Sequence, residues 1–142
     1  MYVTRAILTA RYGQDRLVQL TDRDGTAGAI VDAVLDQAIA DAAAEIDAHL
    51  AGRYQLPLAT VPPVVEGIAA RLALLALHVD SAPELVTESA ATARQSLRAI
   101  ARGDLKLPVA GVDPAETPGI LAASSAPVMP AAVADFLAGG GA

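Results

Sequence analysis

The chain has 142 residues, enough for one domain, and its net charge of −6 and scattered basic residues argue against a surface that grips nucleic-acid phosphates. It contains no cysteine, which excludes a disulfide framework, a thiolate zinc site and a cysteine nucleophile. Hydrophobic residues make up 54% of the chain but aromatic residues only 3%, so a core of Ala, Leu, Val and Ile is expected, which favours an all-α fold.

The first predicted elements are two short helices. Thr4 is a suitable N-cap for a helix that continues to Tyr12 and ends at Gly13. Asp15 is expected to cap a second short helix. Residues 21–28, with the sequence TDRDGTAG, concentrate turn-forming residues and predict a loop.

Three long helices are predicted after this loop. Apolar residues recur at i, i+3 and i+4 over 30–51, with the acidic residues mostly off that stripe, and Gly52 is expected to end this helix in a left-handed conformation. A proline pair opens the next helix, 63–80, which is apolar on nearly every side and belongs in the centre of a bundle. The third, 83–102, ends at Gly103.

The composition changes at residue 108, where an Ala-, Ser- and Gly-rich stretch with recurrent proline begins. This stretch predicts an extended arm over 108–142, with at most a short terminal helix, after a helical domain over 1–107. Such an arm cannot build its own core, so we expect it to dock on a partner. Its apolar anchors would be Val128, Met129, Val133, Phe136 and Leu137.

No membrane span or secretory signal is expected. The most apolar region, 61–79, is interrupted by charged residues and prolines and falls short of the about 20 apolar residues that a span requires. The first residues carry arginine and lack the long apolar centre of a signal peptide. The sequence therefore predicts a soluble protein.

Several polar residues are candidates for metal binding or catalysis. Residues 22–25, DRDG, resemble the start of a calcium loop, but Ala33 stands where the bidentate glutamate is needed, so a turn is favoured. His49 lies near Asp47 without a third ligand at a recognisable spacing, and His78 has apolar neighbours. We predict no catalytic residue, no metal site and no cofactor.

Residues 53–57, Arg-Tyr-Gln-Leu-Pro, interrupt the helical pattern abruptly, and we call them the elbow. Tyr54 and Leu56 would be its apolar anchors, while Arg53 would reach a carboxylate or the C-terminus of a helix. Two hypotheses stay open: the elbow packs inside the protomer, or its outer side contacts a neighbouring subunit through Arg53, Tyr54 and Leu56.

A family resemblance rests on MYVTRAILTARYG at the start of the chain, LTDRDG at 20–25 and IDAHLAGRYQLPL at 46–58. Over roughly 1–107 the chain resembles the head-completion proteins, or head–tail connectors, of Mu-like phages and prophages. The resemblance implies a structural helical adaptor without enzyme activity. It also implies a homo-oligomeric, dodecameric ring at the head–tail junction of the virion, made in the host bacterial cytoplasm.

The implied partners are the portal protein on one side of the ring and a tail-side connector or terminator protein on the other. DNA would pass through the lumen without specific binding, and no membrane would be involved. Contacts around a ring join two different surfaces of each copy. The acidic face of the first long helix and the side chains of Arg53, Arg71, Arg94 and Arg98 are candidates for those two surfaces.

Two other functions remain open from the sequence. The chain could be a monomeric helical module that binds a protein or peptide through an apolar groove. It could also be a small metal-assisted enzyme that uses Asp22, Asp24 and His49.

Overall fold

The computed structural model describes residues 1–108, and within that range the chain forms five helices and no strand. The helices are α1 (Arg5–Tyr12), α2 (Gln14–Thr21), α3 (Asp32–Leu50), α4 (Pro63–Leu77) and α5 (Glu84–Arg102). The predicted all-α fold, with two short N-terminal helices and three long ones, is confirmed. The predicted arm from residue 109 onward, with Val128, Met129, Val133, Phe136 and Leu137, lies outside the described residues.

The centre of the bundle is α4, which packs against both α3 and α5 and buries eight of its 15 residues. Larger side chains such as Leu35, Ile68 and Leu97 fill the space between the helices. Alanines occupy many of the remaining buried positions and allow the helix axes to approach closely. These buried alanines are Ala38, Ala42, Ala69, Ala70, Ala73, Ala90 and Ala93.

The start of α1 agrees with the prediction, because the Thr4 hydroxyl accepts a hydrogen bond from the backbone N–H of Ile7. Gly13 ends α1 with a φ of 90° and is also the N-cap of α2. The prediction that Asp15 caps α2 is wrong, because no side chain caps this helix. Asp15 lies instead in the first turn, where its charge favours the helix dipole.

Two predicted helix ends differ from the structure. Gly52 has no positive φ, because α3 ends in a right-handed turn in which the N–H groups of Arg53 and Tyr54 both donate to Leu50 O. The helix predicted to reach residue 80 ends at Leu77. The next residue, His78, is extended, and its ring nitrogen Nδ1 bonds the carbonyl oxygen of Leu74. The side chain thus satisfies a carbonyl that the helix no longer uses.

None of the helices within residues 1–108 is both long and apolar enough to cross a membrane.

The substitution Leu72→Asp tests the central place of α4. Leu72 is 3% exposed, so the aspartate would bury an unpaired charge, and we expect a loss of at least about 3 kcal/mol in unfolding free energy. The control is Leu85→Asp, because Leu85 is 79% exposed in the first turn of α5, and we expect it to change stability by less than about 0.5 kcal/mol. Urea denaturation of both variants measures the difference, and equal stabilities would contradict the assignment of α4 to the core.

Candidate functional site

The elbow is fastened to the end of α5 by Arg53. The side-chain Nε of Arg53 donates to Ala101 O at 3.3 Å, and Nη2 donates to Arg102 O at 3.4 Å. These carbonyls belong to the last turn of α5, where a positive charge also complements the helix dipole. The sequence-based expectation that Arg53 reaches a helix C-terminus is thus confirmed.

The guanidinium group of Arg53 lies directly against Gly103, the residue that ends α5. Gly103 has a φ of 86°, and a Cβ atom built there would lie 2.7 Å from Arg53 Cζ. The left-handed backbone favours glycine at this position, and an added Cβ would also displace the guanidinium group of Arg53.

Tyr54 connects the elbow to the last residues of the helical domain. Its side chain is only 4% exposed, and its hydroxyl accepts a hydrogen bond of 3.0 Å from the backbone N–H of Leu107. A buried tyrosine needs such a partner for its hydroxyl, and the bond holds Leu107 against the elbow. The predicted contact of Arg53, Tyr54 and Leu56 with a neighbouring subunit stays a prediction, but the ring of Tyr54 lies inside the domain.

A shallow groove of about 300 Å³ lies beside the elbow. Leu56 is half-buried and packs against the core, and the Leu56–Pro57 peptide bond is cis. On the other side of the groove, the hydroxyl of Tyr2 donates to the carboxylate of Asp47 on α3. Burial, together with this hydrogen bond, raises the pKa of Tyr2. The groove is lined by Met1, Tyr2, Asp47, Leu56, Pro57, Leu58 and Val61.

The acidic face of α3 is largely engaged inside the protomer. Arg5 on α1 bonds both carboxylate oxygens of Asp36, at 2.8 and 2.5 Å, and reaches Asp32 at 3.3 Å. The bond from Arg5 lowers the pKa of Asp36. These groups are about half exposed, so they orient α1 on α3 and contribute little to stability.

Arg94 on α5 and Glu45 on α3 form a second ion pair between helices. Arg94 Nε lies 2.6 Å from Glu45 Oε2, and Nη2 lies 3.1 Å from Oε1, so the pair is bidentate. The bond from Arg94 lowers the pKa of Glu45 below its ordinary value of 4.5. Arg94 and Glu45 were candidates for opposite sides of an intersubunit contact, but the structure pairs them within one protomer.

The residues considered for metal binding have structural roles. Asp24 accepts hydrogen bonds from the backbone and hydroxyl of Thr26, and Asp22 accepts from the N–H groups of Ala27 and Gly28, so residues 22–28 form the predicted turn. His49 bonds a backbone carbonyl four residues earlier through Nδ1. No group of three metal-ligating side chains occurs in residues 1–108.

Sequence analysis missed a cluster of arginines around Tyr12. Arg16 lies over the tyrosine ring, with Cζ 5.7 Å from the ring centre, and Arg11 and Arg71 lie close by. The three arginines are far apart or irregularly spaced in the sequence, and only the packing of α1 and α2 against α4 brings them together. Basic residues that are scattered along the sequence are therefore close together on this surface.

These features define a small helical protein whose polar side chains mainly connect helices to one another. A family model described as Bacteriophage Mu, Gp36, matches residues 2–123, and the chain belongs to this family. The family resemblance inferred from the sequence is thereby confirmed. The match also continues beyond the helical domain into the predicted arm, where the sequence alone suggested no relationship.

Two relatives are similar over most of their length. The protein called Gene product J, from Escherichia phage Mu, is 39% identical over 97 residues, which cover 68% of this chain and 67% of that protein. The Mu-like prophage FluMu protein gp36 of Haemophilus influenzae is 31% identical over 107 residues, which cover 75% of each chain.

The contact between Arg53 and Gly103 can be tested with two glycine substitutions. We expect Gly103→Ala to destabilise the protein by about 1–2 kcal/mol or more, because alanine strains the left-handed backbone and displaces the guanidinium. Gly67→Ala is the control. Gly67 lies inside α4, and an added Cβ would be in ordinary contact with its nearest neighbour, Arg11 Nη2, at 3.7 Å. We expect this substitution to raise the unfolding free energy by about 0.5–1 kcal/mol. Thermal and urea denaturation measure both, and similar effects of the two substitutions would contradict the role of Gly103.

The ion pair of Glu45 and Arg94 predicts a defined pH dependence. Because the pKa of Glu45 is lower in the folded state, its stabilisation is present above the unfolded value of 4.5 and is lost as the pH falls through the folded value. Allowing for partial exposure, we expect Glu45→Gln to cost about 1 kcal/mol near pH 6 and much less near pH 3. The control is Asp41→Asn, on the same helix and outside the ion pairs of the described residues. A cost of Glu45→Gln that is equal at both pH values would show that the pair is not stabilising.

Proposed function

We propose that this chain is a structural virion protein, a head–tail connector that forms a ring between the portal and the tail of a Mu-like phage or phage-like particle. The observation that carries the proposal is the match of residues 2–123 to the Mu Gp36 family, together with the similarity to proteins of phage Mu and of a Mu-like prophage. The sequence resemblance to head-completion proteins supplies the specific role.

The helical domain supports a structural role for the protein. The polar contacts of Arg5, Arg53 and Arg94 connect one helix or loop to another. The net charge of −6 suits a ring through which DNA passes, because like charge discourages adhesion to the lumen. On this proposal the protein is not an enzyme, and its partners are further copies of itself, the portal and a tail-side protein.

The proposed arm adds a second means of attachment. Residues 109–142 contain no lysine or arginine and carry apolar side chains near their end, among them Phe136, the only phenylalanine of the chain. Docking of Phe136 and its neighbours on an adjacent subunit or on the portal would hold the ring in the particle. Tyr54 supports this arrangement because its bond holds Leu107, near the start of the arm, against the elbow.

Deletion of the gene from the phage or prophage that encodes the chain tests the proposal. We expect DNA-filled heads and free tails to accumulate separately, because the junction between them is incomplete. Electron microscopy counts the joined particles, and mass spectrometry of purified virions detects the protein. Complementation with the wild-type gene should restore joining, and Leu72→Asp should not.

A normal number of joined particles without the gene would overturn the connector role. The alternative, a monomeric module that binds a peptide in the groove beside the elbow, would then become the leading hypothesis, since that groove has half-buried apolar walls.

A further inference from the structure

The structure contains a compact basic surface that has no carboxylate partner within residues 1–108. It consists of Arg11, Tyr12, Arg16 and Arg71, contributed by α1, α2 and α4. Arg11 Nη2 lies 3.7 Å from the position of a Cβ at Gly67, one helical turn before Arg71, and Arg16 lies over the ring of Tyr12. Burial raises the pKa of Tyr12, and the charges of Arg11, Arg71 and Arg16 oppose this rise.

None of these three arginines forms an ion pair within residues 1–108. Asp15 and Glu66 are their neighbours in the sequence and do not pair with them either. By contrast, Arg5 and Arg94 both bond carboxylates on α3. Three like charges at one place repel each other, and a partner that supplies negative charge would relieve this cost.

An exposed acidic surface with complementary charge follows α4, where the chain turns into α5. Leu85 and Val79 are 79% and 65% exposed, which is unusual for side chains of their size in this domain. Glu84 and Glu88 lie one turn apart on the same exposed face of α5 and are not ion-paired in the described part of the chain. We define the acidic surface as Val79, Asp80, Glu84, Leu85 and Glu88.

We propose that the basic surface of one copy binds the acidic surface of a second copy of this chain. The two surfaces share no residue, so the contact joins different faces of the two copies. A contact of this kind continues from copy to copy and closes into a ring when the rotation allows it. The inference deepens the proposed connector function by naming the two faces that would meet around the ring.

Two features favour a second copy over the chain's own arm as the occupant. The arm has three carboxylates, but they are spread over the 34 residues from 109 to 142. The acidic surface holds its carboxylates around two exposed apolar side chains, which Tyr12 and the aliphatic part of Arg16 could cover. Contact with a second copy therefore satisfies the charges of one surface and buries the apolar side chains of the other.

Sedimentation of the purified full-length chain over a wide concentration range tests the contact. We expect Arg16→Glu and Glu88→Arg each to raise the dissociation constant of self-association at least about tenfold. Arg102→Glu is the matched control, because Arg102 is exposed and lies outside both surfaces, and it should change the constant less than about twofold. Added salt should weaken the wild-type association, because both surfaces are solvent-exposed in the free protein.

Mixing two double variants distinguishes a contact between different faces from other arrangements. Arg16→Gln/Arg71→Gln retains only the acidic surface, and Glu84→Gln/Glu88→Gln retains only the basic one. Each variant alone should stay monomeric, and the mixture should form heterodimers but no larger species. Circular dichroism establishes that both variants are folded, and removal of charge without reversal keeps the perturbation small.

Three results would overturn the proposal: no self-association of the wild-type chain, an effect of the arginine substitutions without a matching effect of the glutamate substitutions, or no heterodimers in the mixture. An effect of the arginines alone would point to the acidic arm or to another protein as the occupant. The connector function is tested separately by gene deletion, so it could stand even if this contact were absent.

Discussion

The packing of α4 between α3 and α5 is the constraint on which the other features of the domain depend. With one phenylalanine, three tyrosines and no tryptophan in the chain, few large aromatic side chains are present to fill a wide space between helices. Burial must instead come from many small contacts, which requires helix axes held close together over alanines such as Ala42, Ala73 and Ala93. Any displacement of α4 would therefore open both of its interfaces at once.

Close packing along the helices leaves their ends to be fixed by polar contacts. Arg53 bonds the last carbonyls of α5 from a loop that follows α3, and Tyr54 in the same loop bonds Leu107. The elbow is therefore the place where the end of α3, the end of α5 and Leu107 are held in one arrangement. Gly103 permits this because it combines a left-handed backbone with room for the guanidinium.

Local patterns predicted the fold well, whereas the contacts between distant residues could not be read from them. The i, i+3, i+4 spacing located α3, α4 and α5 because a helix buries one stripe of side chains wherever its partners lie. The end of α3 was misjudged at Gly52, since a glycine permits a left-handed conformation without requiring it, and bonds from Arg53 and Tyr54 closed the turn instead. The cluster around Tyr12 depends on how α1, α2 and α4 pack, which no local pattern encodes.

The distribution of arginines links stability to the proposed assembly. Arg5, Arg53 and Arg94 are bound within the protomer and keep the helices in place, whereas Arg11, Arg16 and Arg71 are gathered on one surface and form no ion pair in the described domain. A contact built on exposed charges is weak for an isolated pair of copies, and it becomes strong when many copies are held side by side. Such a contact would suit the proposed connector, because free copies would associate only weakly and a template that presents them together would strengthen the association. On the proposed connector function, the charged contact would order neighbours around the ring, and the arm would retain the ring in the particle.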